Sequence, residues 1–429
     1  MHWPWPRIVL ACCAGAYVVL ATGPWWDKVS KASHGRDFAS YYYAVQVAAD
    51  GGDPYDKRAL GRASRADRTR KTVHPYFYPP PYLLTVAWAL PLDLETAFRS
   101  WYALGHLFLL ATLLALSKLV PGRWVAPTLG VFAVTFTPIP DTLWMGQANL
   151  LVTALSLWGV WGVLNKRPVL GGALVGAAAM LKMSPALLVA WWVLQRRWHA
   201  VFAAIGTAIA LSFLSLSVVD LSTQARFYRE VLPGFASGNY HGLTVPIGLM
   251  HNHSIPNLLH QVWPGTETAL SESARFTGAL ITAFLIGACA WAFRGCRPAT
   301  TNATAQAATI VVLMLVLPTY TYEHHMVWLL FPYLIALDAI VSGRAHRYWL
   351  FVLAPAYAVQ ALQLTTLKGW YPSIRKWEPW GDQMIWFLRE TKCFTALAIG
   401  LACFVLSRST RAGDGTAEPL PRAHAEGSR

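Results

Sequence analysis

Asp37 follows closely on an apolar run, Ile8 to Trp25, that is long enough to cross a bilayer, so its carboxylate falls within a turn or two of a membrane face. A carboxylate at that depth either pairs with a neighbour, Arg36 being adjacent, or takes a proton from whatever reaches the interface. Three more groups of polar residues interrupt apolar runs farther along: Gly146-Gln147-Ala148-Asn149, Lys182, and Glu323-His324-His325. Gln147 and Asn149 can satisfy backbone groups at helix ends or meet a ligand, and spacing alone does not choose between these. Lys182 can snorkel, yet it lies three residues before Pro185 where two short apolar runs meet, a place where an ammonium can hold a phosphate. Two adjacent histidines beside an acid at the mouth of a span are more than interfacial anchoring requires, and at least one is expected to handle a proton or an anion. The chain has no His-Glu-x-x-His pattern, and Asp53-Pro54-Tyr55-Asp56 reads as a turn, so no metal and no cofactor are expected.

These residues need helices to position them. With 55% hydrophobic residues, 13% charged and 21 Trp, the chain is too apolar for one soluble globule and reads as an all-α polytopic membrane protein. Apolar runs predict a first span at Ile8–Trp25, which reads as a signal anchor, then spans at Ala97–Ser117, Trp124–Ile139, Asn149–Leu164, Val169–Leu181, Pro185–Leu194, His199–Val219, Ala274–Phe293, Ala305–Leu317, Met326–Val341, Tyr348–Leu367 and Cys393–Leu406, about 12 in all. The two that meet at Lys182-Met183-Ser184-Pro185 predict broken helices lining a cavity. Between the first two spans, the tyrosine run after Asp37 reads as a juxtamembrane helix ended by Gly51-Gly52-Asp53-Pro54, Lys57 to Lys71 as a basic surface piece, and Tyr78-Pro79-Pro80-Pro81 as the start of a re-entrant or interfacial helix over Leu83–Leu92. The organisation is therefore one transmembrane domain over 1–407, with large loops at 26–95 and 220–273 and a polar, disordered tail at 408–429.

The net charge of +14 resides largely in short loops between apolar runs, where lysine and arginine set orientation and meet anionic lipid, so nucleic acid is excluded as a partner. Arg7, Lys118, Lys166, Arg196, Arg294, Arg344 and Arg408 fall on one side if Leu83–Leu92 does not cross. That side is the cytoplasm, with both termini; the loops at 26–95 and 220–273 and every polar cluster then face outward across the cell's inner membrane.

Asp37-Phe38 with its tyrosine run, Gly52-Asp53-Pro54-Tyr55, Tyr78-Pro79-Pro80, Gly146-Gln147-Ala148-Asn149, Lys182-x-x-Pro185, Asn252-His253-Ser254 and the His324-His325 pair, in this order, resemble glycosyltransferase family 87 from Asp37 to about Pro332. The resemblance implies a C-type membrane enzyme that moves a sugar, mannose first among the possibilities, from a polyprenyl-phosphate donor to a lipid or glycan acceptor. It implies Asp37 as the catalytic base and His324 or His325 beside the donor phosphate. Arg36 and Lys182 can then stabilise the departing phosphate, while Tyr42 and Tyr78 offer faces to sugar rings and Gln147, Asn149, Asn252 and Glu323 line the substrates. One carboxylate suffices because a polyprenyl phosphate leaves as a stable anion and needs cationic stabilisation more than a proton. A transporter or lipid flippase is the competing class, since broken helices and membrane-depth polar residues serve it equally, but the two large loops show no internal repeat.

Overall fold

The apolar runs become helices in the computed structural model, which describes residues 5–31, 35–68, 73–236, 246–294 and 300–408. In chain order these are α1 (Trp5–Thr22), α2 (Pro24–Val29), α3 (Arg36–Ala49), α4 (Lys57–Ala66), α5 (Leu94–Leu119), α6 (Val125–Thr135), α7 (Pro138–Met145), α8 (Asn149–Leu164), α9 (Pro168–Leu181) and α10 (Ala186–Leu194). They continue as α11 (Trp198–Leu214), α12 (Leu221–Arg226), α13 (Leu232–Ala236), α14 (Ile255–Val262), α15 (Glu272–Phe293), α16 (Thr300–Val316), α17 (Leu330–Val341), α18 (Leu350–Ala361), α19 (Leu364–Ile374) and α20 (Gly381–Arg408). Among the described residues the remaining regular structure is short 3-10 and π turns and one isolated β-bridge, Thr266 with Ala269.

Length separates the helices that can cross a membrane from those that cannot. Six are long and apolar enough: Trp5–Val29, Leu94–Leu119, Trp198–Ser217, Glu272–Phe293, Glu323–Val341 and Gly381–Arg408; the pair Arg347–Ala361 and Leu364–Ile374, bent by 97°, makes a seventh if counted as one span. Four of the runs expected to cross fold as apolar helices of only 10–17 residues, at Val125–Thr135, Asn149–Leu164, Pro168–Leu181 and Asn302–Val316. A straight helix of that length rises only about 15–26 Å, short of a hydrocarbon core of about 30 Å, so the structure supports six or seven spans where the sequence predicts about 12. The break after Leu181 is present: α9 ends, Lys182 is extended, and α10 begins after Pro185. Over Leu83–Leu92 no α-helix forms; Pro80–Thr85, begun by prolines, and Ala87–Ala89 are 3-10 turns.

The core runs through α16, α17 and α20, which pack on one another and bury Val312, Phe331, Leu334, Ala396 and Cys403. On the periphery α11 and α15 expose Phe202, Phe213, Phe276 and Phe284, the faces a lipid phase covers. The segments 409–429, and with them nearly all of the expected tail, lie outside the described residues.

Candidate functional site

Asp37 occupies the first turn of α3, whose start is set by two glycines. Gly35, with φ of 74°, precedes the helix in the left-handed region and donates its N–H to the Trp144 carbonyl at 2.8 Å. Gly146, with φ of 69°, ends α7 in the same region. A Cβ at Gly35 would come within 2.9 Å of the Phe98 ring, and one at Gly146 within 2.6 Å of Phe38 Cβ, so only glycine lets the two backbones approach this closely. That approach brings Gln147 onto Asp37: its Nε2 donates to Asp37 Oδ2 at 2.6 Å.

The orientation of the Gln147 amide follows from its other end. The hydroxyls of Tyr41 and Tyr78, 3.0 Å apart, reach Gln147 Oε1 at 3.0 and 3.3 Å. Burial pushes both phenols above their ordinary pKa, so they remain donors; the amide oxygen therefore faces them and the amide nitrogen faces the carboxylate. Tyr82 and Tyr76 complete this packed aromatic group.

Two residues on, Asn149 does for a lysine what Gln147 does for the acid. Its Oδ1 accepts from Lys182 Nζ at 2.6 Å, while its Nδ2 donates to the His324 carbonyl at 3.1 Å. Thr142 Oγ1 donates to the same carbonyl at 2.9 Å, so α7 and the start of α8 together grip the turn at Glu323-His324-His325. Lys182 Nζ also lies 5.9 Å from the centre of the Tyr78 ring. It forms no ion pair among the described residues; burial pulls its pKa down to about 7, opposed by the charge of Asp37. A desolvated cation whose direct partner is an uncharged amide suits an anionic ligand.

The histidines complete this side. His325 Nδ1 accepts from the Tyr322 N–H at 2.8 Å, which fixes the proton on Nε2 and makes that nitrogen a donor. Its ring meets that of His324 edge-on with centroids 4.5 Å apart. His324 Nε2 is buried with no hydrogen-bond partner among the described residues.

The other residues singled out in the sequence are anchored elsewhere. Tyr42 donates its hydroxyl to the Leu92 carbonyl at 2.6 Å, tying α3 to the start of α5. Asn252 is fully engaged with backbone: Nδ2 donates to the Ile247 and Thr319 carbonyls at 3.0 and 2.9 Å, and Oδ1 accepts from the Thr321 N–H at 2.9 Å. Ser254 adds a bond to the Thr319 carbonyl and caps α14, so this tripeptide clamps the irregular segment leading into the histidines. Glu323 accepts from Lys392 Nζ at 2.6 Å, and Lys392, 1% exposed, also donates to the Leu362 carbonyl at 2.8 Å. The Arg36 side chain lies outside the described residues. Asp53 forms its turn, accepting from the Tyr55 N–H at 2.8 Å, and pairs with Arg226 to tie the loop after α3 to α12.

Residues that the sequence reading missed are Tyr41 and Lys392. A lysine within the 28-residue apolar helix α20 was itself the signal, because an ionisable residue at that depth needs a partner or a purpose. Among the described residues no group of three His, Cys, Asp or Glu is placed to hold a metal ion.

The sequence model of glycosyltransferase family 87 matches residues 76–318, a stretch that contains Tyr78, Gln147, Asn149, Lys182 and Asn252 and stops short of Asp37 and His324 at either end. The chain is 29% identical, over 48% of its length and 44% of the relative's, to a polyprenol-phosphate-mannose-dependent alpha-(1-2)-phosphatidylinositol pentamannoside mannosyltransferase of Mycobacterium tuberculosis. It is 26% identical, over 54% of its length and 51% of the relative's, to a polyprenol-phosphate-mannose-dependent alpha-(1-2)-phosphatidylinositol mannoside mannosyltransferase of Mycolicibacterium smegmatis. A pentamannoside enzyme of the latter organism is 28% identical over 62% of both chains. The chain thus spans about half the length of the curated relatives it matches. No solved structure matches it.

Proposed function

Because the chain belongs to glycosyltransferase family 87, we propose that it transfers a mannosyl group from a polyprenyl-phosphate donor to a hydroxyl of a lipid or glycan acceptor, inverting the anomeric centre, with Asp37 as general base. In one displacement the acceptor oxygen bonds to C1 of the sugar as the bond from C1 to the phosphate oxygen breaks. The proton of the hydroxyl passes to Asp37, and polyprenyl phosphate departs as an anion.

The observation that carries this assignment is the separation of opposite charges by two amides. Gln147 donates to the carboxylate of Asp37 and Asn149 accepts from the ammonium of Lys182, so neighbouring amides orient an acid and a cation in one site. Reactants that develop a proton to be taken and a phosphate charge to be stabilised need both groups available, one beside the acceptor oxygen and the other beside the leaving group. Lys182 and the Nε2–H of His325 serve the phosphate, and Tyr78, beneath Lys182, shapes the cavity. In this proposal the site opens to the extracytoplasmic face, where a donor embedded in the bilayer presents its sugar; the lysines and arginines of the short loops favour that orientation.

The test is transfer by the purified full chain in nanodiscs with labelled polyprenyl-phosphate mannose and a phosphatidylinositol mannoside acceptor. Wild type should transfer and Asp37→Asn should not; substantial turnover in Asp37→Asn removes the base assignment. Cysteine labelling at exposed positions checks the sidedness: Arg62→Cys and Glu267→Cys should react with a reagent added outside and be sealed from one confined to the cytoplasm.

A further inference from the structure

The glycosyltransferase reading leaves one shielded acid without a role. Seven acids among the described residues are buried or half-buried: Asp37, Asp53, Asp56, Asp141, Glu323, Asp338 and Glu390. Six have hydrogen-bond or ion-pair partners, respectively Gln147, the Tyr55 N–H with Arg226, the Arg58 N–H, Lys392, Arg344 and Asn257. Asp141 makes neither a side-chain hydrogen bond nor an ion pair among the described residues, although a shielded carboxyl strongly favours donors around it.

Its place is specific. Asp141 and Trp144 are three residues apart on α7 and so share one face of it. Lys28 of α2 holds its ammonium 3.4 Å from the centre of the Trp144 ring. The Trp144 Nε1–H is itself buried with no partner among the described residues, a second unused polar atom on this face. The next residue after Asp141 is Thr142, which grips the His324 carbonyl, so Asp141 stands by the turn whose Glu323 pairs with Lys392. Burial and the Glu323 carboxylate push the Asp141 carboxyl up to about 7, while Lys392 and Lys28 pull it down. Lys182 reaches the turn through Asn149, at the start of α8, whereas Asp141 lies on α7, with Lys28 of α2 against its Trp144 face.

We infer that Asp141 and the Trp144 indole N–H form the subsite for the acceptor sugar, the carboxyl accepting hydroxyls of the residue that receives the mannosyl group. Sugar hydroxyls suit this face because they supply the donors that Asp141 lacks and an acceptor for the indole N–H, and Lys28 beside them favours the ionised carboxyl. The inference rests on the glycosyltransferase reading, and binding measured one ligand at a time separates the two.

The experiment is equilibrium binding to the full chain in nanodiscs, with a phosphatidylinositol mannoside as the acceptor probe and polyprenyl phosphate as the donor-side probe. Asp141→Asn should weaken the mannoside by about 10-fold or more, as expected when a charge-assisted acceptor is lost, and leave polyprenyl phosphate within about twofold. Asp141→Glu should recover part of the mannoside affinity, and Trp144→Phe should weaken the mannoside alone by a few-fold. Mannoside binding unchanged in Asp141→Asn, or both ligands weakened equally, overturns the subsite. Polyprenyl phosphate binding that is indifferent to Lys182→Ala would instead strike the donor site, and with it the reading beneath.

Discussion

Two lysines flank the turn at Glu323-His324-His325, and they differ in the charge of what holds them. Lys392 is enclosed by a carboxylate and a carbonyl, so its charge is met within the protein. Lys182 is held by the oxygen of Asn149, a dipole with no net charge. A buried ion pair holds elements together, and its ammonium has nothing left to offer a ligand. A buried ammonium on a neutral amide is an unfinished interaction that a phosphate can finish, at some cost to stability when the site is empty.

The largest effect expected from this comparison is at Asp37. Asp37→Asn should lower transfer by about 10²–10⁴-fold, the usual worth of a general base, with thermal stability and polyprenyl phosphate binding retained. If the acid only balances Arg36, the double change Arg36→Ala with Asp37→Ala should restore turnover lost in either single variant; rescue would end the general-base assignment.

At the structural lysine the effect should fall on folding. Lys392→Ala leaves a half-buried Glu323 unpaired and should destabilise the protein by about 3 kcal/mol, the lower end for a broken buried pair, while Lys392→Met with Glu323→Gln should regain most of it. Thermal unfolding of the purified variants measures both; equal stability of the single variant and wild type would erase the distinction between the lysines.

Lys182→Met should behave oppositely. Turnover should drop about 10–1,000-fold from loss of one charge-assisted contact to the leaving phosphate, with a melting temperature equal to or above wild type. A smaller change follows from its pKa of about 7: the ammonium is the form that binds phosphate, so donor affinity should be full below pH 7 and fall as the pH rises above it. The KM for donor across pH 6 to 9 checks the sign, and Lys182→Arg should flatten that profile. The least effect is expected at Pro79→Ala, which should alter KM or expression with the maximal rate within a few-fold, because in the proposed mechanism this turn supplies shape and no reacting group.

Much of the site was legible residue by residue. Asp37, Gln147, Asn149 and Lys182 stand out as polar residues breaking apolar runs, and the structure brings these four together with His324 and His325. Asn252 and Glu323 stand out by the same rule, yet the one is consumed by backbone groups and the other by Lys392. Composition cannot tell these cases apart, because an amide that clamps a carbonyl and an amide that orients a carboxylate are the same residue type. Asp141 shows the reverse: within Pro138–Met145 it reads as an ordinary helix acid, and only the absence of a partner among the described residues distinguishes it.

The features that can be read along the chain are local: apolar runs long enough to be helices, the prolines and glycines that end them, and the break at Lys182. These follow from hydropathy and backbone sterics within a few turns of chain. Which polar group meets which was decided by the tertiary structure, because the partners are remote: Asp37 and Gln147 are 110 residues apart, Asn149 and His324 175, Glu323 and Lys392 69. No periodicity reaches across such distances; the close approach at Gly35 and Gly146 sets the first of these pairings, and the grip of Thr142 and Asn149 on the His324 carbonyl sets the second.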